Sequence, residues 1–293
     1  MSLHKPTFLL CPPDYFDVRY AINPWMDPDA WDPEVHNDAS HKGWQALVMA
    51  IEEAGGQVVT LPAEPGVPDM VFTANCAVVL NGTALLGHYR HPERQREELF
   101  VKACFEKLMA QDVVDELEPC PKGLFFEGAG DAVWDPSRQL MWMGYGPRSD
   151  REMDRVVSRM FGVETLSLEM VNPRYYHLDT ALSVLSDGEI LFIKSAFSAE
   201  SLECIETTVP REKRIPISDG DALRLAANGV CIGKTLITGG ISRFLEALLK
   251  ERGYRVRHLP LGSFALSGGS AYCLSLRLDN TASGQASVLQ APS

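Results

Sequence analysis

Apolar and polar positions alternate in short runs along this chain, and the runs come in pairs. Asn75 is followed by AVVL, the turn NGT and ALLGH, and Asp131 by AVW, DPSR and QLMWMGY. Asp179 is followed by TALSVL, SDGE and ILFIK, and Asn228 by GVCI, GK and TLITG. Each pair thus starts at a small polar residue and reads as two strands joined by a turn. Asn81-Gly82 and Asp187-Gly188 between apolar runs are strong hairpin signals. A fifth run, SAYCLSLRL after Gly269, supplies only the first half of such a hairpin.

Helical patterns separate the hairpins, at residues 44–54, 94–110, 151–161, 198–208 and 241–252. The first carries apolar residues at Trp44, Leu47, Val48 and Ile51; the second places Leu99, Val101, Phe105 and Leu108 near one face. A short strand follows each helix: QVVTLP, DVVDEL, VETLSL, KRIPI and YRVRHLP. The unit therefore recurs about five times at a spacing of roughly 45 to 55 residues, within the range that signals repeat architecture. The unmatched last half-hairpin and the unmatched first strand, TFLLC, are both explained if the N-terminal strand completes the last unit and closes a ring. The prediction is one α/β domain of five units around a central axis, spanning residues 1–280. The small polar tail, 281–293, is expected to fray.

Composition narrows the function. Hydrophobic residues make up 45% and charged residues 23%, which excludes a disordered or collagen-like chain. The net charge of -12 disfavours nucleic acid and anionic membranes as partners. The N-terminus lacks the pattern of a secretion signal, and no apolar run reaches the ~20 residues that span a bilayer. The seven cysteines, with no CxxC pair, then read as free thiols of a reduced, cytoplasmic protein. A homo-oligomer is left open.

Equivalent positions in a ring point to one axis, so Asn75, Asp131, Asp179 and Asn228 would line a polar, partly anionic central cleft. Taken singly, each is an ordinary turn residue; their shared repeat position argues for more. FFEGAGD adds Glu127 and two glycines, and its acids argue against a phosphate loop. In YHLD, strand alternation would put His177 and Asp179 on one face. Cys273 follows the Gly-rich LSGGSAY. It reads either as a small buried hydrophobe, like Cys76 and Cys231, or as a nucleophile served by His177. His88 and His91 lack an obvious third metal ligand, and no metal or other cofactor is predicted.

These residues resemble the guanidine-modifying enzymes of the pentein superfamily, whose fold is a five-bladed α/β propeller built from ββαβ-type units. PDMVFTAN, HPERQRE, FEGAGD, GPRSD, YHLD and SGGSAYC occur in that order over residues 8–278. The resemblance implies Cys273 as nucleophile, His177 as general acid/base and Glu127 as the carboxylate that binds the guanidinium and orients the site. It implies substrate contacts from Asp69 and Phe72, and a grip on the substrate α-carboxylate from Arg94 and Arg148; Asp131, from its place on the cleft, is also expected to bind substrate. Asp179 would bind substrate or orient His177. Related single-step hydrolases carry an acid where this chain has Asn75; FTAN and PPDYFDVRYAINPWM are instead similar to the arginine dihydrolases, which makes Asn23 a further candidate. The implied reaction is hydrolysis of arginine to ornithine, ammonia and carbon dioxide. The alternatives are a single-step hydrolase giving citrulline from arginine or a methylated arginine and, in a different class, a non-catalytic arginine-binding protein.

Overall fold

The computed structural model describes residues 5–283. Five three-stranded sheets stand around a central axis. In the first, β1 (Thr7–Leu10) pairs in parallel with β2 (Gln57–Thr60). The next four each hold a hairpin and a third strand parallel to its second arm. They are β3 (Ala77–Leu80), β4 (Thr83–Leu86) and β5 (Glu116–Glu118), then β6 (Ala132–Asp135), β7 (Leu140–Tyr145) and β8 (Glu164–Glu169). They continue with β9 (Leu182–Val184), β10 (Ile190–Phe192) and β11 (Arg214–Pro216), then β12 (Val230–Ile232), β13 (Thr235–Thr238) and β14 (Arg255–His258).

The ring closes through β15 (Leu276–Arg277), which lies antiparallel to β1 with Leu9 opposite Leu276. The N-terminal strand thus stands in for the second arm of the last hairpin, as the sequence predicted. The pairing gives the last unit the same three strands as the others.

The helices that join the units start where the sequence supplies caps. Ser198 and Ser242 accept from the backbone N–H of Ser201 and Leu245 at the starts of helices Ala199–Thr208 and Arg243–Glu251. The first helix is longer than the apolar pattern predicted. It runs Pro33–Glu53 because Asp32 caps it and Pro33 suits a first helical position. The second expected helix divides at Arg96 into Pro92–Gln95 and Glu97–Ala110. Val101, Phe105 and Leu108 are buried there, whereas Leu99 is 71% exposed and does not share their face. No helix among the described residues is long and apolar enough to cross a membrane.

At the inner end of each unit the chain makes a tight turn before its first hairpin strand. Three of these are 3-10 turns: Thr73–Asn75, Gly128–Gly130 and Leu178–Thr180. The first packs on the second and the second on the third, which gathers their side chains at the axis. Residues 280–282 are held at Asn81: Asn81 N–H donates to the Asn280 carbonyl, and Ala282 N–H donates to Asn81 Oδ1. Residues 284–293 of the predicted tail lie outside the described residues.

Candidate active site

Cys273 sits in a hydrogen-bonded turn just before β15, not within the strand the sequence suggested. The Gly-rich approach is fixed in place by Asn228. The Asn228 side-chain oxygen accepts from Ser270 N–H at 2.8 Å and Cys273 N–H at 3.1 Å. Its amide nitrogen donates to the Asp179 carbonyl at 3.0 Å and to Cys273 Sγ at 3.1 Å. One side chain thus ties three turns of the ring to the thiol. Gly269 is required there, because a Cβ would lie 2.5 Å from the Phe72 ring. Phe72 is buried and meets Phe16 edge-on at 5.8 Å, forming an apolar wall beside the thiol.

The second partner of Cys273 is Asp179. The thiol donates to Asp179 Oδ2 at 3.1 Å, while Oδ1 is buried with no partner. Burial pushes the Asp179 carboxyl up to about 7. Burial, reinforced by the Asp179 charge, also pushes the Cys273 thiol well above its ordinary value. Cys76 and Cys231 are raised by burial too, but have no carboxylate hydrogen-bonded to sulfur among the described residues.

His177 and Asp179 do not alternate along a strand. His177 is the extended residue before the turn Leu178–Thr180, so its ring turns toward the second unit while Asp179 turns toward the last. His177 Nε2 lies 2.7 Å from Glu127 Oε2, and since the carboxylate only accepts, Nε2 carries the proton. Arg148 donates to the same Glu127 oxygen at 2.8 Å. Burial alone would raise the Glu127 carboxyl, but Arg148 and His177 hold it well below the usual range. Arg148 also donates to the Ile22 carbonyl and stacks over Tyr176, which draws the loop containing Asn23 over the site. Asn23 donates to the Ser267 carbonyl at 3.1 Å, pinning that loop to the approach to Cys273.

Asp69 is buried; Oδ2 accepts from the Tyr20 hydroxyl at 2.8 Å and Oδ1 has no partner. Burial raises its carboxyl, against the opposing pull of Arg94. Asn75 Oδ1 accepts from Arg94 at 2.8 Å, and its Nδ2 faces His177 Nδ1 at 3.5 Å.

Asp131, expected to contact substrate, accepts from the Ser149 hydroxyl at 2.6 Å and Leu178 N–H at 3.0 Å and so steadies the residue after His177. The arginines were expected to grip the substrate α-carboxylate. Arg148 is paired with Glu127, and Arg94 is gripped by both oxygens of Glu97 and donates to the Asp69 carbonyl. The sequence had placed Asn228 on the axis but given it no part, and had passed over Tyr20, Ser149 and Glu97. Glu97 could have been found, since it stands three residues after Arg94 in a helical pattern. Nothing local marks Tyr20 or Ser149.

The family model for N,N-dimethylarginine dimethylhydrolase, eukaryotic, matches residues 12–235. The chain is 40% identical over 273 residues to the bifunctional arginine dihydrolase/ornithine cyclodeaminase ArgZ of Synechocystis, covering 92% of this chain and 37% of that protein. It is 30% identical to N(G),N(G)-dimethylarginine dimethylaminohydrolase of Mycobacterium tuberculosis, covering 92% of this chain and 85% of that one. The chain therefore spans about a third of the length of its cyanobacterial relative. In structure it matches the N-terminal domain of ArgZ, solved as a cysteine-to-serine mutant bound to substrate. That match has a TM-score of 0.89 and 37% identity, and covers 94% of this chain and 99% of that one. A dimethylarginine dimethylaminohydrolase adduct shares the fold at a TM-score of 0.73 and 16% identity, covering 94% of this chain and 100% of that one. The five-unit ring, the ordered motifs and these matches agree: the chain belongs to the dimethylarginine dimethylaminohydrolase family of the pentein superfamily.

Proposed function

We propose that this chain hydrolyses the guanidino carbon of arginine through Cys273 and carries the reaction through to ornithine, ammonia and carbon dioxide. The observation that carries this reading is the pair Cys273–Asp179. A buried carboxylate touches the thiol, has no cation of its own among the described residues, and keeps one oxygen unsatisfied. A buried acceptor without a partner is costly, and a planar cation with several N–H donors removes that cost. Asp69, with its own unsatisfied oxygen, offers a second acceptor for the same kind of ligand.

The cation also deals with the thiol. Burial and Asp179 by themselves keep sulfur protonated. A bound guanidinium offsets the carboxylate charge and makes the thiolate accessible. The thiol proton passes to His177, Sγ attacks the guanidino carbon, and His177 delivers that proton to the departing nitrogen so that ammonia leaves. Glu127 balances the charge that His177 gains and fixes its ring. His177 next takes a proton from water, whose oxygen bonds to the carbon as the C–S bond breaks, and citrulline forms. In a second round Sγ attacks the ureido carbon and expels the second ammonia. Water releases a carbamate, which loses carbon dioxide to leave ornithine.

Asn75 supports the second round. An acid at this position would set one acceptor against the ureido oxygen, whereas an amide can donate to it. The 40% identity to a protein described as an arginine dihydrolase points the same way. The match to the dimethylarginine hydrolase family keeps a single-step reaction ending at citrulline as the second reading. Purified protein incubated with arginine and with methylated arginines decides between them. Two ammonia per ornithine supports the dihydrolase; one ammonia or methylamine per citrulline supports the single-step reaction; no release from any of them overturns both.

A further inference from the structure

We infer that Glu97 is a positioning residue which, through Arg94, fixes the Asn75 amide as a one-sided hydrogen-bond donor and so favours a ureido oxygen over a guanidinium in the site. The inference deepens the dihydrolase reading and rests on it.

Glu97, Arg94 and Asn75 are all buried. Both Glu97 oxygens accept from Arg94, at 2.9 Å from Nε and 2.8 Å from the terminal nitrogen. A two-point grip of this kind fixes the guanidinium plane as well as its position. Tyr89 supports that plane from one side, 4.4 Å from the ring centre. The other terminal nitrogen then meets Asn75 at 2.8 Å.

Arginine can only donate, so the Asn75 atom facing it must be the oxygen. The amide is therefore oriented by chemistry: its acceptor is taken, and its NH2 group is turned toward His177 Nδ1, 3.5 Å away. Gly130 holds the amide from behind, since a Cβ there would stand 2.4 Å from Nδ2. Position 75 offers the site N–H groups and no lone pair. A guanidinium presents only N–H groups of its own, but the ureido group of citrulline presents an oxygen. Orientation thus supplies the discrimination that residue identity alone, an amide able to show either end, does not.

The test measures ligand affinity in a Cys273→Ala background, where turnover cannot interfere. Arginine and citrulline are titrated by calorimetry against this protein and against the same protein carrying Glu97→Gln. Replacing a buried ion pair by apolar groups often preserves the fold, so a second variant, Arg94→Met with Glu97→Leu, is titrated too. Citrulline affinity is expected to fall about five- to hundred-fold more than arginine affinity. Both ligands carry the same α-carboxylate, so any direct grip of Arg94 on that group lowers both affinities alike and leaves the ratio unmoved. An unchanged ratio in both variants overturns the inference. Turnover by the unmodified protein is scored separately: release of citrulline without ornithine overturns the dihydrolase reading, while the affinity ratio still decides the role of Glu97.

Discussion

Asp131 and Asp179 both stand at the inner turns of neighbouring units, one residue before β6 and three before β9. Each lies in or directly after a 3-10 turn before a hairpin, and each is 1% exposed. Their surroundings separate them. Asp131 spends both oxygens on protein donors, the Ser149 hydroxyl and Leu178 N–H. Asp179 receives the Cys273 thiol on one oxygen and nothing on the other. A repeat fold sets where a side chain sits, but the neighbouring units decide whether it is structurally saturated or free to meet a ligand. Asn228 and Asn75 differ in the same way. Asn228 is consumed by the backbone around Cys273, while Asn75 keeps its amide nitrogen toward His177.

The comparison stands on Cys273 being the group that Asp179 serves, and replacing that thiol tests it most severely. Cys273→Ser should lower kcat by at least about 10⁴-fold, as loss of a nucleophile does. A serine hydroxyl can keep the contacts to Asp179 and Asn228, so the melting temperature and arginine binding should survive. Near wild-type turnover would break the assignment.

The same conservative change at the two aspartates then sharpens it. Asp179→Asn removes the charge awaiting a cation, and kcat/KM for arginine should fall about 10- to 150-fold, matching 1.5–3 kcal/mol for a hydrogen bond to a charged group. Equal kinetic losses in Asp179→Asn and Asp131→Asn would erase the distinction between the two sites.

The pH profile carries the next effect. The Asp179 carboxyl, raised from its ordinary 3.8 to about 7 by burial, is ionised above that pH and protonated below it. Only the ionised form pairs with a guanidinium, so kcat/KM for arginine should fall about tenfold per unit below pH 7. Citrulline, being neutral, should show a shallower slope, and Asp179→Asn should flatten the arginine profile. On folding stability the sign is opposite. Between pH 7 and 3.8 the native carboxyl holds its proton more tightly than the unfolded one, so this group adds stability as pH falls. A profile for arginine that is level from pH 8 to 5 would remove Asp179 from cation binding.

Asp131→Asn should have the smallest effect. An amide oxygen can accept from Leu178 N–H while its nitrogen donates to Ser149 Oγ. Stability should therefore change by no more than about 1 kcal/mol and kcat by less than tenfold. Denaturant unfolding and steady-state kinetics on one preparation measure both. A kinetic loss without a stability loss would mean that Asp131 meets the substrate after all.

The ring was legible in the chain because its cause is local. Each hairpin advertises itself by alternation and by turn residues such as Asn81-Gly82, and five such units at even spacing leave few ways to pack. Closure by TFLLC followed from an unpaired first strand and an incomplete last hairpin, and β1 pairs with β15 accordingly. The candidate chemistry was legible as a set of residue types in order, from PDMVF to SGGSAYC. Helix limits and the exposure of Leu99 were not, since they depend on a cap and on which face the neighbouring sheet covers.

Partnership is what only the tertiary structure decided. YHLD seemed to place His177 and Asp179 side by side, yet a tight turn sends one to Glu127 and the other to Cys273, 94 positions away in sequence from Asp179. Both arginines looked available until Glu97 and Glu127 were seen to hold them. Sequence sets each residue's donors, acceptors and local backbone preference. Which donor meets which acceptor depends on contacts between units, such as that between Asn75 and His177, 102 residues apart. No periodicity along the chain encodes such a contact, because it is made only when the ring has closed.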